Sequence, residues 1–278
     1  MRDIVVVGAA GYIGARLLEH FSRNAVDWYT GFDLGIFGQA KMPKQTYVKD
    51  VADIPASAFK DKVVIYLASF HREPDGTAHR EAWRQAYDKL MVREPARIAR
   101  ACHQLIYVSS MRAITDRVSL YGETKARAEK VLLDIPNTRQ VRFGTIWGDL
   151  NKRLPNRPNT AVNYALTRGQ FSGDHWEAFT THIDDAIDWL SDTALVASSP
   201  SCPPDPIISD IVNIVDLPVP LTADDMRSLL KQQHKNRALQ QQFICERSPT
   251  STALDLREDQ KAARCLQDYY GLETPNAK

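Results

Sequence analysis

An α/β fold built on a doubly wound parallel sheet is what this sequence predicts, and three observations carry the prediction. Ile4-Val5-Val6-Val7 is an unbroken apolar, β-branched run, the pattern of a strand buried on both faces of a parallel sheet. Gly8, Gly11 and Gly14 follow at once in the spacing G-x-x-G-x-x-G, and an amphipathic helix then runs through Ala15, Leu17, Leu18 and Phe21. Further continuous apolar runs alternate with segments of helical period, the βαβ rhythm of such a sheet.

The glycines have separate tasks. Gly8 permits the tight turn from strand to helix, Gly11 removes a side chain that would block a pyrophosphate, and Gly14 lets the helix lie close on the sheet. The helix N-terminus then offers free backbone N–H groups and a partial positive charge to phosphates. Glycine triplets serve ordinary helix–strand packing too; the place of this one, between a strand and a helix, makes a Rossmann-like dinucleotide site the expectation. Tyr12 and Ile13 fall within the same candidate cofactor loop.

Bulk properties narrow the function. A chain of 278 residues holds one main domain with a smaller appendage. The net charge of +1, without a basic run or a pattern of stacking aromatics, excludes nucleic acid as the expected partner. No apolar stretch reaches membrane-spanning length, and Met1 is followed by a charged pair and a core strand, so neither anchor nor signal peptide is expected. Cys102, Cys202, Cys245 and Cys265 are scattered without metal or redox spacing and read as free thiols in a reducing cytoplasm. Histidines and carboxylates form no metal-ligand pattern.

Taken in order, Val26 to Phe32 reads as the second strand, ending at Asp33. A carboxylate there can accept hydrogen bonds from an adenosine ribose, and it favours NAD because a 2′-phosphate would be repelled and no arginine follows to receive it. A solvated loop aspartate is the other reading. Thr46 to Lys49 is a short strand leading to Asp50-Val51, a candidate adenine-edge contact. Lys62 to Ala68 is another buried strand; the loop after it, Ser69-Phe70-His71-Arg72, lies where open α/β sheets bind ligands. Ala78 to Cys102 has helical period, with Trp83, Tyr87, Leu90, Met91, Ile98 and Ala101 on one face, and a kink or break is expected at Pro95. Leu105 to Val108 is a further strand, ending in Ser109-Ser110.

Tyr121-Gly122-Glu123-Thr124-Lys125 opens a helix that continues through Ala126, Ala128, Val131 and Leu132. Tyr and Lys four apart share a helix face. An ammonium so placed stabilises a phenolate, lowering the phenol from its ordinary value, and can also bond a ribose hydroxyl. Such a base suits carbonyl–alcohol redox chemistry. Ser110, at the preceding strand's end, could hydrogen-bond the same oxygen. Among ten tyrosines this spacing also arises by chance on an exposed helix face; the Ser-tipped strand and the opening glycine loop favour catalysis.

With these residues in place, the sequence resembles the extended short-chain dehydrogenase/reductases, the NAD-dependent epimerase/dehydratase family. The matching stretches are Gly8 to Gly14, Asp33, Asp50-Val51, Leu67-Ala68-Ser69, Val108 to Ser110, Tyr121 with Lys125, Arg142 to Gly148 and Thr181 to Asp185; they span residues 1 to 190. The resemblance implies bound NAD, with Leu67, Ala68, Ser69 and Phe143 among its contacts. It implies a Ser-Tyr-Lys set: Tyr121 as base, Lys125 as its modulator and ribose clamp, Ser110 as partner of the substrate oxygen. Thr145 would lie beside the substrate, for which His71 is a weaker candidate. Helices 78–102 and 121–134 are the faces such proteins pair into a homodimer. Three departures stand out. The family's dehydratases carry Asp-Glu after the catalytic Ser/Thr, where this chain has Met111-Arg112. Met91 replaces an asparagine common in the long helix, and Thr145 stands where 4-epimerases usually have Asn.

Beyond residue 150 composition shifts. Asn151 to Thr160 is a polar, proline-punctuated loop. Arg153, Arg157 and Arg168 suit a diphosphate clamp or ordinary surface charge equally, and Asn163, on a short helix from Thr160 to Thr167, suits a nucleobase edge or packing equally. Trp176, Phe179 and Trp189 read as core. Ile183 to Val196 is a helix returning to the sheet, Ser198 to Pro206 a linker, and Ile211 to Val215 a strand. Thr222 caps a helix, and Ala262 to Tyr270 forms another that Gly271 ends. The expected organisation is an NAD-binding domain over 1–150, with 174–198 returning to it, and a smaller substrate-binding region over 151–278. The expected activity is epimerisation at a secondary hydroxyl of a nucleotide-diphosphate sugar. A reductase of a keto-sugar or other small carbonyl is the alternative, and a non-catalytic dinucleotide sensor or scaffold the rival of another class.

Overall fold

The structure, a computed structural model, describes residues 1–34, 44–70, 80–148, 177–200, 211–217 and 219–228. It contains a seven-stranded sheet. In chain order its strands are β1 (Ile4–Val7), β2 (Tyr29–Asp33), β3 (Gln45–Tyr47), β4 (Val63–Tyr66), β5 (Gln104–Ser110), β6 (Thr138–Phe143) and, after three strands outside this sheet, β10 (Ile211–Ile214). Across the sheet they stand in the order β10-β6-β5-β4-β1-β2-β3, the strand order of a doubly wound dinucleotide-binding fold with one strand added at its edge. β1 pairs in parallel with β2 and β4, β2 with β3, and β4 with β5.

The apolar runs explain the sheet. Val5, Val7, Val64, Tyr66, Leu105 and Tyr107 point to one face and pack in a core with Tyr87, Leu90, Met91, Ile98, Leu120, Ala128 and Leu132. Ile4, Val6, Ile65 and Ile106, which alternate with them, are equally buried, as are Leu17, Leu18 and Phe21 of α1 (Tyr12–Arg23). Both faces are covered, so the strands read as continuous apolar runs.

Two boundaries differ from the sequence expectation. β2 begins at Tyr29, because the Val26 N–H turns back to the Phe21 carbonyl at 3.0 Å and closes the end of α1. The long helical segment divides ahead of Pro95. α2 (Arg80–Asp88) runs into a π-helical turn over Lys89–Arg93, and α3 (Glu94–Ala99) starts with Pro95 in its first turn, where its missing N–H costs nothing. The Tyr66 and Tyr107 hydroxyls donate to the Leu90 and Met91 carbonyls of that turn. A short α4 (Arg112–Thr115) and α5 (Leu120–Leu133) follow β5.

The chain divides into two compact units: residues 1–142, 154–156 and 190–212 form one, and 143–153, 157–189 and 213–278 the other. Within the second unit, β7 (Thr145–Trp147) pairs in parallel with β9 (Thr180–His182), and β8 (Glu177–Ala178) pairs antiparallel with β11 (Leu221–Thr222). Their hub is Asp216: its carboxylate accepts from Trp147 Nε1 at 2.5 Å and from the His182 N–H at 2.8 Å. Helix α6 (Ile183–Ser198) follows β9. Phe179 and Trp189 are half-buried rather than central to a core. Thr222 does cap the helix over 223–228, its hydroxyl accepting from the Asp225 N–H at 3.2 Å while Asp225 reciprocates. Trp176 and the helix expected over 262–270 lie outside the described residues. Among the described residues, no helix is long and apolar enough to cross a membrane, and no cluster of His, Cys, Asp and Glu could hold a metal.

Candidate active site

The loop after β1 is built for close approach. Gly8 has φ +92°, a conformation that glycine adopts freely, and a Cβ there would lie 2.7 Å from Ala68 N and 2.9 Å from the Leu67 carbonyl carbon. A Cβ on Gly14 would lie 2.3 Å from the Gly8 carbonyl oxygen, so the first turn of α1 folds directly onto the loop. Gly11 is the N-cap of α1 and has no side-chain cap, and no acid occupies the helix's first turn. Backbone N–H groups of Tyr12 and Ile13 therefore open α1 without a competing carboxylate.

Asp33, at the tip of β2, accepts from the Ala10 N–H at 2.8 Å. The carboxylate that the sequence assigns to a ribose thus also holds the glycine loop against the neighbouring strand. Asp50 caps the short helical turn Val51–Asp53, and its carboxyl is held below the usual range by a bond from Lys89 and the Ala52 N–H. Val51 is buried. Leu67, Ala68 and Ser69 lead away from the C-terminal end of β4, and the Leu67 N–H bonds the Val7 carbonyl at 2.8 Å.

The second cluster gathers at the C-terminal end of β5. Ser119 caps α5 by accepting from the Gly122 N–H at 3.0 Å, which fixes the register of Tyr121 and Lys125 on the following turns. Both are buried. Ser110 Oγ accepts from the Arg112 N–H at 3.2 Å and acts on the Tyr121 phenol. Burial pushes that phenol up to about 12, while Ser110 and the positive charge of Arg112 pull it down. Lys125 goes the other way: burial pulls it down to about 7, against the raising influence of Glu129. Its Nζ donates to the Val108 carbonyl at 2.7 Å and lies 4.7 Å from the Tyr107 ring centre and 5.8 Å from that of Tyr121.

The cluster extends one helical turn beyond Lys125, to a residue outside the sequence's candidate set. Glu129, on the same face as Tyr121 and Lys125, accepts from the Ser109 hydroxyl at 2.5 Å and forms a bidentate pair with Arg142, at 2.8 and 2.7 Å. This brace ties α5 to both β5 and β6 behind the Ser-Tyr-Lys group. Its signal is present in the sequence, since Glu129 is four residues past Lys125 and the same face of α5 continues through it. Met91, where an asparagine is expected, is fully buried in the π-helical turn, its carbonyl taken by Tyr107 at 3.1 Å.

In the second unit, Phe143 is buried at the end of β6 and Thr145 opens β7, its N–H bonded to the Phe179 carbonyl at 2.7 Å. His71, Arg153, Arg157, Asn163 and Arg168 lie outside the described residues.

No protein-family model matches the chain, and no curated protein sequence matches it. Solved structures do. TunA, an NAD-dependent NDP-hexosamine 5,6-dehydratase, superposes with a TM-score of 0.60 at 19% identity over 85% of this chain and 82% of its own. MoeE5 in complex with UDP-glucuronic acid and NAD gives 0.60 at 18% identity over 99% and 94%. The UDP-glucuronic acid 4-epimerase from Bacillus cereus in complex with NAD gives 0.57 at 19% identity over 84% of each chain. The chain has their fold. At these identities the likeness establishes architecture alone.

Proposed function

We propose that this chain is an NAD-dependent enzyme that oxidises a secondary hydroxyl of a nucleotide-diphosphate sugar, acting as an epimerase. The observation that carries the reading is the Ser110–Tyr121–Lys125 group, with Ser110 half-buried at the end of β5 and Tyr121 and Lys125 buried on α5, in the same unit as the glycine loop. The resemblance of these motifs to the extended short-chain dehydrogenases, and the shared fold, support it.

The loop fits a dinucleotide. Gly8 and Gly14 let the loop and the first turn of α1 pack backbone against backbone, Gly11 leaves the start of the helix without a side chain, and α1 presents an N-terminus with no acid in its first turn to the pyrophosphate. Asp33 takes the adenosine ribose, Asp50 and Val51 the adenine edge, and Leu67, Ala68 and Ser69 line the remainder within the same unit, with Phe143 a further cofactor candidate by resemblance. NAD, when bound, supplies the hydride acceptor.

Tyr121 receives the substrate's hydroxyl proton as the phenolate, and Ser110 holds the same oxygen in line. Ser110 and the charge of Arg112 pull the phenol down from the height to which burial lifts it, and Lys125, one turn on, would clamp the second ribose and add to that pull when protonated. For an epimerase, the hydride would return to the other face of the keto-sugar while the same groups return the proton, so that oxidised cofactor is regenerated. Met111 and Arg112 place no carboxylate after Ser110, which keeps the reading to redox without loss of water. His71, Thr145, Arg153, Asn163 and Arg168 remain the substrate candidates that the sequence offers, and a cytoplasmic homodimer is the expected form.

The test is turnover of nucleotide sugars by purified protein, followed by cofactor release on denaturation. Tyr121→Phe is expected to lose at least about a hundredfold in rate while still binding NAD. Retained turnover in that variant overturns the mechanism. Exchange of bound cofactor with added NADH during turnover would assign a reductase instead of an epimerase.

A further inference from the structure

The turn after β5 carries a cation that lowers the Tyr121 phenol and to which the chemistry above gives no contact with substrate. Arg112 lies two residues past Ser110; its N–H donates to Ser110 Oγ at 3.2 Å, and its guanidinium carbon is 5.4 Å from the centre of the Tyr121 ring. The guanidinium is held in place. Nε, at 2.9 Å, and Nη2 both donate to Asp116 Oδ2. Asp116 Oδ1 in turn accepts from the Ser119 N–H at 3.1 Å, at the residue that caps α5.

The packing of this turn depends on Gly122. A Cβ there would lie 1.7 Å from the Asp116 carbonyl oxygen and 2.7 Å from that of Arg112. The residue after Tyr121 is therefore the one that lets the arginine-bearing turn settle against the first turn of α5. One edge of the guanidinium is spent on Asp116. The Nη1 edge, on a side chain 49% exposed, has no hydrogen bond to a described residue.

A fixed planar fork beside a reacting hydroxyl is suited to a planar anion, which it can pair with good geometry. In a nucleotide sugar the diphosphate is on the anomeric carbon, which has no free hydroxyl to oxidise. For a ring hydroxyl away from the anomeric carbon, such as the 4-hydroxyl, the charged group able to adjoin it is a carboxylate on the exocyclic carbon. We propose that Arg112 is a specificity residue that receives the carboxylate of a nucleotide uronic acid, next to the hydroxyl held by Ser110 and Tyr121. The inference rests on the reading of that pair as the hydroxyl's partners.

The experiment compares UDP-glucuronic acid with UDP-glucose, its neutral counterpart, on holoenzyme, wild type and Arg112→Gln, with thermal melting to verify folding. Wild type is expected to favour the acid, and Arg112→Gln, which also removes a charge that lowers the Tyr121 phenol, to lose about tenfold more in kcat/KM on the acid than on the neutral sugar. Arg112→Lys, which keeps the charge and loses the fork, should fall between. Equal losses on both sugars, with a displaced pH profile, would make Arg112 a support for the Tyr121 phenolate and overturn the assignment. So would a wild type that binds the two sugars equally, or binds neither in calorimetric titration. Turnover that survives Tyr121→Phe strikes the catalytic reading instead, and is read in a separate variant.

Discussion

Lys125 donates from its buried Nζ to the Val108 carbonyl at 2.7 Å, so the amine on α5 is tethered to the strand that ends in Ser110. The bond keeps the amine close under the Tyr121 ring and away from water. The same burial makes its charge costly.

That cost gives a pH signature. The folded chain holds Lys125 at about 7, below its ordinary 10.5, so between these values the unfolded chain binds the additional proton. The penalty is present in full below pH 7 and is relieved as pH rises toward 10.5. The stability of wild type minus that of Lys125→Met should therefore rise over this window, by on the order of a few kcal/mol. Urea unfolding of ligand-free protein at a series of pH values measures it, and a flat difference would contradict the burial of the charge.

The Glu129–Arg142 pair has side chains only 6% and 15% exposed, respectively. Arg142→Met leaves a buried carboxylate without its partner and should cost about 3 kcal/mol. Adding Glu129→Gln should restore much of that, because the amide needs no counter-charge. Denaturant midpoints of the two single variants and the double variant give the coupling directly.

Gly122→Ala should displace the Arg112–Asp116 turn, since neither backbone carbonyl in its path can yield cheaply. A loss of about 2 kcal/mol is expected. The Tyr121 phenol should then titrate higher as Arg112 withdraws, followed by the absorbance change on tyrosinate formation. An unchanged melting temperature would show that the turn moves freely.

Asp33→Ala removes the acceptor of the Ala10 N–H and should destabilise the glycine loop by about 1 kcal/mol. On the proposed NAD reading it also removes the charge that repels a 2′-phosphate, so NADPH should gain about tenfold on NADH. Fluorescence titration with the two reduced dinucleotides measures the ratio.

Much of this is legible in the sequence because local rules and the fold agree. Ile4 to Val7 followed by three spaced glycines already demands a buried strand, a tight turn and a helix folded onto both. Tyr121 and Lys125 share a face by helical geometry alone, and Ser119 as N-cap fixes where that helix starts. The start of β2 is not legible, because Val26, as β-prone as its successors, spends its N–H on closing α1. The break in the long helical segment comes earlier than Pro95 predicts. The π-helical turn is held by hydroxyls from two strands, Tyr66 and Tyr107, that no local pattern connects to it.

The sequence by itself determined the strand–glycine–helix opening, the alternation that builds the parallel sheet, and which residues on α5 share a face. These follow from backbone sterics and side-chain period, which act over a few neighbouring residues. Only the tertiary structure decided that Glu129 is braced by Ser109 and Arg142, that Arg112 lies beside the Tyr121 ring, and that burial moves phenol and amine in opposite directions. Those depend on which distant elements meet and on how much water they exclude, and one-dimensional spacing carries neither.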